Sequence, residues 1–468
     1  MLDLIGSIKK LFKYISLALK GSETDFTEGN IDKAIFLLSV PMIVEMGMEA
    51  VFAVVDLFFV SRVSVTAVAT VGLTESVLFI IYSVAVGLSM ALAAIVARRI
   101  GEKEPKKAAN AAFQGIMLSS ALAIVLGVVG FVFAGDVLRL MGGDDELVRD
   151  GVGYTRIMFA GNISIVLIFV INAIFRGAGD ASIAMRTLLL ANGLNIVLDP
   201  ILIFGLGPIP AFGAEGAAIA TTIGRSTGVV YQLISLFRGS SIIKLTIQNV
   251  VIRLNTIREI VKVSIGGMGQ FLIESASWIF LVRVVSIFGT DAIAGYQTSF
   301  RIIVFTILPA WGMSNAAATL VGQNLGAKKP ERAEESVWRT AKYSMIFLVI
   351  VSIVFFTLSD PIIGIFTQEK AVAEVAKTSI KIICLGYLFF AYGMVISQAF
   401  NGSGDTRTPM IINVFVFWLF QIPFAYILSV MMDMRETGVF ISIAVAHSLH
   451  AIVGVLIFRK GKWKLTKV

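Results

Sequence analysis

Cysteine, histidine and charge are scarce in this chain. Of 468 residues one is cysteine and two are histidine, and only 15% are charged. Cys384 alone cannot close an internal disulfide. His447 and His450 stand far along the sequence from any other candidate ligand, so no zinc cluster and no metalloenzyme are expected. No GxxxxGK[ST] stretch occurs, so a P-loop that would hold ATP is not expected. What remains is grease: 57% of residues are hydrophobic, whereas soluble domains carry roughly 45–50% apolar and about 25% charged residues. The class that fits is an all-α protein crossing a membrane many times.

A spanning helix needs about 20 mostly apolar residues. By that rule about twelve spans are expected, near 35–61, 74–97, 109–134, 152–175, 186–206, 215–237, 263–287, 298–321, 338–358, 377–400, 409–432 and 438–458. The runs are long and do not alternate, which excludes a β-barrel. Basic residues cluster in alternate loops: Arg98, Arg99, Lys103, Lys106 and Lys107 after the second span, Lys328, Lys329 and Arg332 after the eighth, and Arg459 to Lys467 in the tail. The opposite loops hold few, among them Arg62, Arg139, Arg149, Lys370 and Arg435. This asymmetry puts both termini in the cytoplasm of a multi-pass protein of the cell (inner) membrane. The net charge of +8 is then an orientation signal, and no nucleic-acid partner is expected. Leu4, Ile8, Leu11, Phe12 and Ile15 share one helical face among lysines, which reads as a helix on the inner leaflet.

The sequence repeats itself at an offset of 225 residues: Ser39 matches Ser264, Glu49 matches Glu274, Gly87 matches Gly312, and Gly101, Lys103 and Pro105 match Gly326, Lys328 and Pro330. Gly177, Gly179 and Asp180 match Gly402, Gly404 and Asp405, and Met185 matches Met410. Six spans per copy is an even number, so the lobes run parallel, related by a pseudo-two-fold axis along the membrane normal, with a site at their interface. The expected organisation is a cytoplasmic amphipathic segment 1–34, an N-lobe 35–237, a linker 238–262 on the membrane surface, a C-lobe 263–458 and a basic tail 459–468.

Ionisable residues inside a span are costly and point to function. Span 1 carries Glu45, Glu49 and Asp56 on one face, rotated from each other by about 20–40°. Span 5 carries Asn192, Asn195 and Asp199 on one face, span 6 adds Thr221 and span 4 adds Asn172. At the 225 offset Asp56 aligns with Leu281, Asn195 with Phe420 and Asp199 with Phe424, so the polar site belongs to the N-lobe alone. Asp56, Asn195, Asp199 and Thr221 form the expected cation-coupling site. Two close carboxylates in a low dielectric take up a proton or share a cation, and Na+ suits their carboxylate, amide and hydroxyl oxygens. Pro200 frees a carbonyl one turn earlier. Pro41 kinks span 1 as a candidate hinge. Glu49, Met48, Phe52, Tyr154, Asn172 and Glu274 are the expected substrate-cleft residues. Met42, Met46, Met158 and Phe169 add a deformable apolar wall. Arg225, Arg283 and Arg301 need partners, with Glu274, Glu75 or lipid headgroups as candidates.

These residues resemble a known family. Twelve spans in two parallel lobes, Val55-Asp56 with Pro41 upstream, Arg176-Gly177-Ala178-Gly179-Asp180, Asn195-Ile196-Val197-Leu198-Asp199-Pro200 and Gly216-Ala217-Ala218-Ile219-Ala220-Thr221 are similar to the multidrug and toxic compound extrusion (MATE) transporters. The N-lobe looks most like the DinF-like branch, including its archaeal members. The NorM-like branch would carry a further acid where this chain has Phe390-Ala391-Tyr392. The resemblance implies a secondary antiporter, not an enzyme and without catalytic residues. It would export amphipathic, often cationic compounds in exchange for H+ or Na+ by rocker-switch alternating access, as a monomer without cofactor, and span 1 would bend at Pro41 on protonation of nearby acids. The alternative is a lipid-linked saccharide flippase of a related superfamily, which would want a strongly cationic cleft.

Overall fold

The computed structural model describes residues 14–468 apart from 22, 23, 240 and 250. Twelve long helical units follow in chain order: α1 (Ile31–Val60), α2 (Val65–Gly101), α3 (Pro105–Val132), α4 (Asp145–Ala178), α5 (Ala181–Phe204), α6 (Ala214–Arg238), α7 (Leu254–Val285), α8 (Thr290–Gly326), α9 (Pro330–Phe366), α10 (Lys370–Leu385 and Tyr387–Ser403, bent by 60°), α11 (Arg407–Met431) and α12 (Arg435–Phe458). Among the described residues, nine are long and apolar enough to cross a membrane, and the bent pair makes a tenth. The other two are α1, which carries Glu45, Glu49 and Asp56, and α6, which carries Arg225. Each expected span falls on one unit, but five of them, ending at 61, 134, 206, 287 and 432, run one or two residues past the helix end, while the helices begin before the expected limits. At 37 residues α2 and α8 are about 55 Å long, and α9, with as many residues, kinks at Leu358.

Helix ends follow local chemistry. Asn30, Ser64 and Asp144 cap α1, α2 and α4 by accepting a backbone N–H three residues on. Pro105 and Pro330 open α3 and α9, where a missing N–H costs nothing. Gly179 and Gly404 end α4 and the second half of α10 in the left-handed region, at φ 92° and 91°. The outward faces are apolar: Ile124, Val125 and Val128 on α3 and Ile350 and Ile353 on α9 are more than half exposed, as acyl-chain contact requires.

The duplication is written into the contacts between lobes. A β-carbon on Gly101 would collide with the carbonyl oxygen of Gln323, and one on Gly326 would collide with that of Arg98. These are the same contact reversed, because 98 and 101 advanced by 225 give 323 and 326. Likewise Gly87 abuts the backbone nitrogen of Met268 and Gly312 abuts that of Ile43, where 43 plus 225 is 268. Residue i touching j' while j touches i' is the mark of a two-fold interface. Two lobes are therefore related by pseudo-two-fold symmetry, in contact along the ends of α2 and α8 that lie on the side of the chain termini.

Three expectations change in detail. The linker is shorter, since α7 begins at Leu254. It is also tied to the N-lobe: Asn110 donates to the carbonyls of Asn249 and Val251 at 3.0 and 2.9 Å, and Gln114 accepts from the Arg253 amide at 2.9 Å. Ile252 and Leu254 remain exposed beside it. Leu4, Ile8, Leu11 and Phe12 lie outside the described residues. From 14 to 20 the chain is helical, and Ala18 packs with Ala181, Ala316 and Leu320 of both lobes. Finally, the 225 offset ends after Met410. Wide turns over Val414–Gln421 and Ile427–Met431 insert residues in α11, and the α11–α12 turn is short. Gly216 abuts Leu202 and Gly438 abuts Leu428, giving offsets of 226 in α11 and 222 in α12.

Candidate functional site

The N-lobe polar face is assembled by α1, α5 and α6. A β-carbon on Gly224 would crowd the Ala191 carbonyl to 2.5 Å, and its absence lets α5 and α6 approach closely. Thr221 then reaches Asn195, whose amide Nδ2 lies 3.2 Å from both the Thr221 hydroxyl and Asp199 Oδ1. Asp199 is fully buried. Its Oδ2, the Asn195 Oδ1 and the Asp56 Oδ1 are buried without a hydrogen-bond partner among the described residues. Buried acceptors of this kind are rare unless a proton, water or ion completes them. Asp56 is half-buried on α1 and is an electrostatic neighbour of Asp199. The structure thus gathers Asp56, Asn195, Asp199 and Thr221 into one cluster. The donor set of carboxylate, amide and hydroxyl oxygens fits a proton or a hard monovalent cation.

A third acid lies near this cluster. Glu75 on α2 is an electrostatic neighbour of Asp56 and of Tyr82 and Tyr154. It sits one turn from Phe79, whose ring stacks on Phe271 of the other lobe at 5.0 Å, so Glu75 shares the face turned toward the lobe boundary. In the sequence Glu75 stands out only as a partner for an arginine. The signal was available, namely an acid in an apolar run.

Two buried ion pairs occupy the rest of the α1 face. Glu45 binds Arg176 at 2.8 Å and accepts from Asn172 at 3.0 Å, and Gln232 donates to Asn172 at 2.6 Å. Glu49 takes both guanidinium nitrogens of Arg225, at 2.6 and 2.9 Å, and the Phe52 ring lies 4.9 Å from that guanidinium. Arg225 is therefore satisfied by Glu49, not by Glu274, Glu75 or a headgroup. Of the expected cleft residues, Glu49, Phe52 and Asn172 lie in these networks. Tyr154 is buried in the N-lobe core, Met48 is half-buried, and Glu274 is in the other lobe. Pro41 is buried within an unbroken α1, and Pro200 lies within an unbroken α5.

Two cavities with Met90, Trp311, Gln398 and Asn401 in common lie near the lobe boundary, and the first reaches this face at Met46 and Arg176. One lies between the lobes, lined by Met46, Met90, Phe169, Arg176, Trp311 and Asn401. The other, about 440 Å3, lies mainly in the C-lobe and is walled by Trp278, Phe300, Trp311, Phe390 and Phe417. Glu274, His447 and His450 open into it, so the two histidines, remote in sequence, share a cavity with a carboxylate. His450 Nε2 is 3.1 Å from Asn413 Oδ1. Among the described residues no group of three such side chains is placed to hold a metal ion. Met42 and Met158 are core residues rather than cavity wall.

The repeat shows which features are single. Glu45 and Arg176 correspond to Gln270 and Asn401, a neutral amide pair bonded at 2.9 Å. With the offset of 226 in α11, Asn195 corresponds to buried Gln421 rather than Phe420, and Asp199 to Ala425 rather than Phe424. Asp56 still corresponds to Leu281. The acid pair has no copy in the C-lobe.

A family model, MatE, matches twice, over residues 41–201 and 268–427. The chain is 27% identical over 439 residues to a probable multidrug resistance protein NorM of Thermotoga maritima, covering 93% of each. It is 24% identical over 442 residues to the multidrug export protein MepA of Staphylococcus aureus, covering 94% of this chain and 96% of that one. A crystal structure of MATE in the straight conformation superposes with a TM-score of 0.88 at 28% identity, over 94% of this chain and 99% of that one. The doubled match, the two-lobe architecture and this likeness together establish that the chain is a multi-pass membrane protein of the MatE family, the multidrug and toxic compound extrusion transporters.

Proposed function

We propose that this protein is a cation-coupled antiporter that exports amphipathic, often cationic organic compounds. Entry of H+ or Na+ through the Asp56–Asn195–Asp199–Thr221 cluster drives the cycle. The carrying observation is the set of three buried acceptor oxygens on Asp56, Asn195 and Asp199 with no hydrogen-bond partner among the described residues. Their chemistry suits a proton or sodium ion held between the two carboxylates, with Thr221 and Asn195 completing the set. One inward charge is worth about 2.3 kcal/mol per 100 mV of membrane potential, which drives export without ATP. A ligand shifts the lobes only by its differential affinity for the two states. The relatives named for multidrug resistance and export support the substrate class. The basic loops on the termini side support a cytoplasmic location for both ends.

Efflux of a fluorescent organic cation from vesicles under imposed pH or sodium gradients tests the reading. Asp199→Asn is expected to lose gradient-driven efflux. Full retention would remove the coupling assignment. Each gradient imposed alone separates proton from sodium coupling.

A further inference from the structure

The lobes are bridged on the termini side by more than helix packing. Residues 25–29, just before α1, are gripped from both lobes. On the N-lobe side the Asp25 carboxylate pairs with Lys103 in the α2–α3 turn. On the C-lobe side Lys329 donates to the Thr27 carbonyl at 3.0 Å. Arg332 donates to the carbonyls of Glu28 and Gly29 at 2.8 and 2.9 Å. Phe26 is buried, 3% exposed, against Gly179 at the end of α4. Burial works against the charged carboxyl of Asp25, but the Lys103 ammonium and the Thr27 hydroxyl and amide outweigh it and hold its pKa down to about 2. A second bridge runs the other way. Beyond α12 the Trp463 indole is 1% exposed, stacks on Phe458 at 4.6 Å and donates to the Phe458 carbonyl at 3.0 Å. Lys464 binds Glu334 of α9 at 2.6 Å. So anchored to the C-lobe, the chain continues past Gly404, against which Val468 packs, and crosses to the N-lobe where the Thr466 carbonyl accepts from Arg98 of α2.

We infer that segments 25–29 and 462–468 are two latches that hold the lobes together on the termini side, and that they must let go each time that side opens. The inference rests on the alternating-access reading above. Both latches combine guanidinium groups on main-chain carbonyls with one side-chain ion pair, Asp25–Lys103 in the first and Lys464–Glu334 in the second. Each bond exchanges readily for water when the lobes part. Their role is to weight the equilibrium between the two states, and thereby the rate at which the N-lobe cluster is presented to each side.

The test uses the full chain in lipid nanodiscs, with Cys384→Ala, Lys106→Cys and Glu331→Cys carrying spin labels on the two lobes. Distance distributions are recorded with and without imposed sodium and at several pH values. Arg98→Ala, Arg332→Ala and removal of residues 466–468 are each expected to raise the longer-distance population about fivefold. The melting temperature of each variant checks that it remains folded, and the truncation keeps the Trp463 anchor. Unchanged ratios in variants of a protein that does interconvert would overturn the latches alone. A single distance in every protein under every condition would overturn alternating access and the latches with it.

Discussion

At Glu49 and Arg225 the cost of breaking a buried pair is the measurable quantity. Truncating one partner leaves the other charged and desolvated, which costs about 3–5 kcal/mol. Arg225→Ala should therefore lower the melting temperature markedly, and Glu49→Gln with Arg225→Ala should recover most of the loss. A double variant no better than the single one would mean the pair is not coupled. Glu75 makes the complementary prediction. On the proposed coupling role, its charge near Asp56 would attract the entering cation without completing its coordination. Glu75→Gln should raise the half-saturating ion concentration about tenfold, equivalent to ~1.4 kcal/mol, while leaving maximal efflux intact. Glu75→Asp should restore it. The acids themselves were legible in the sequence, because a carboxylate in an apolar run always needs an explanation. Their partners were not. The 100° rule orders residues around one helix, but the depth and rotation of α6 relative to α1 decide that Arg225 meets Glu49.

On the scale of helices, α1 concentrates the consequences. Pro41 removes one backbone hydrogen bond within an unbroken helix, and an interior proline costs about 3 kcal/mol. Pro41→Ala should keep or raise thermal stability while lowering transport turnover, if bending at that position is part of the cycle. Unchanged turnover and coupling would make it a static feature. The crossings of α2 with α8 depend on missing side chains instead. Gly101→Ala forces a β-carbon onto the Gln323 backbone, and overpacking of this kind costs typically 1–3 kcal/mol. The expected result is a lower melting temperature and a looser lobe interface. An unshifted melt would mean that the interface gives way freely. Span positions were legible because each is a long apolar run. The inserted turns of α11 were not. A wide turn leaves the composition unchanged, and only backbone hydrogen bonding reveals that Gln421 has moved into the register of Asn195.

The whole molecule is a duplicated bundle whose halves have diverged in charge. The N-lobe keeps two arginine–glutamate pairs and an isolated acid cluster. The C-lobe replaces one pair by Gln270–Asn401 and places Glu274 and two histidines around an aromatic cavity. Arg176 and Arg225 are neutralised by Glu45 and Glu49, which leaves no strongly cationic cleft among the described residues of the N-lobe and supports the proposed antiporter over the flippase. Twelve helices, their duplication and the single-lobe acid pair were determined by the sequence alone. Apolar length, parity and a fixed offset are properties of the chain order, and lipid leaves a helix few alternatives. Only the tertiary structure decided which charges pair, which acid lies near the cluster and which segments bridge the lobes. Those outcomes depend on how far each helix is turned and raised against its neighbours, and glycine contacts and carbonyl-gripping arginines set that geometry between residues far apart in the chain.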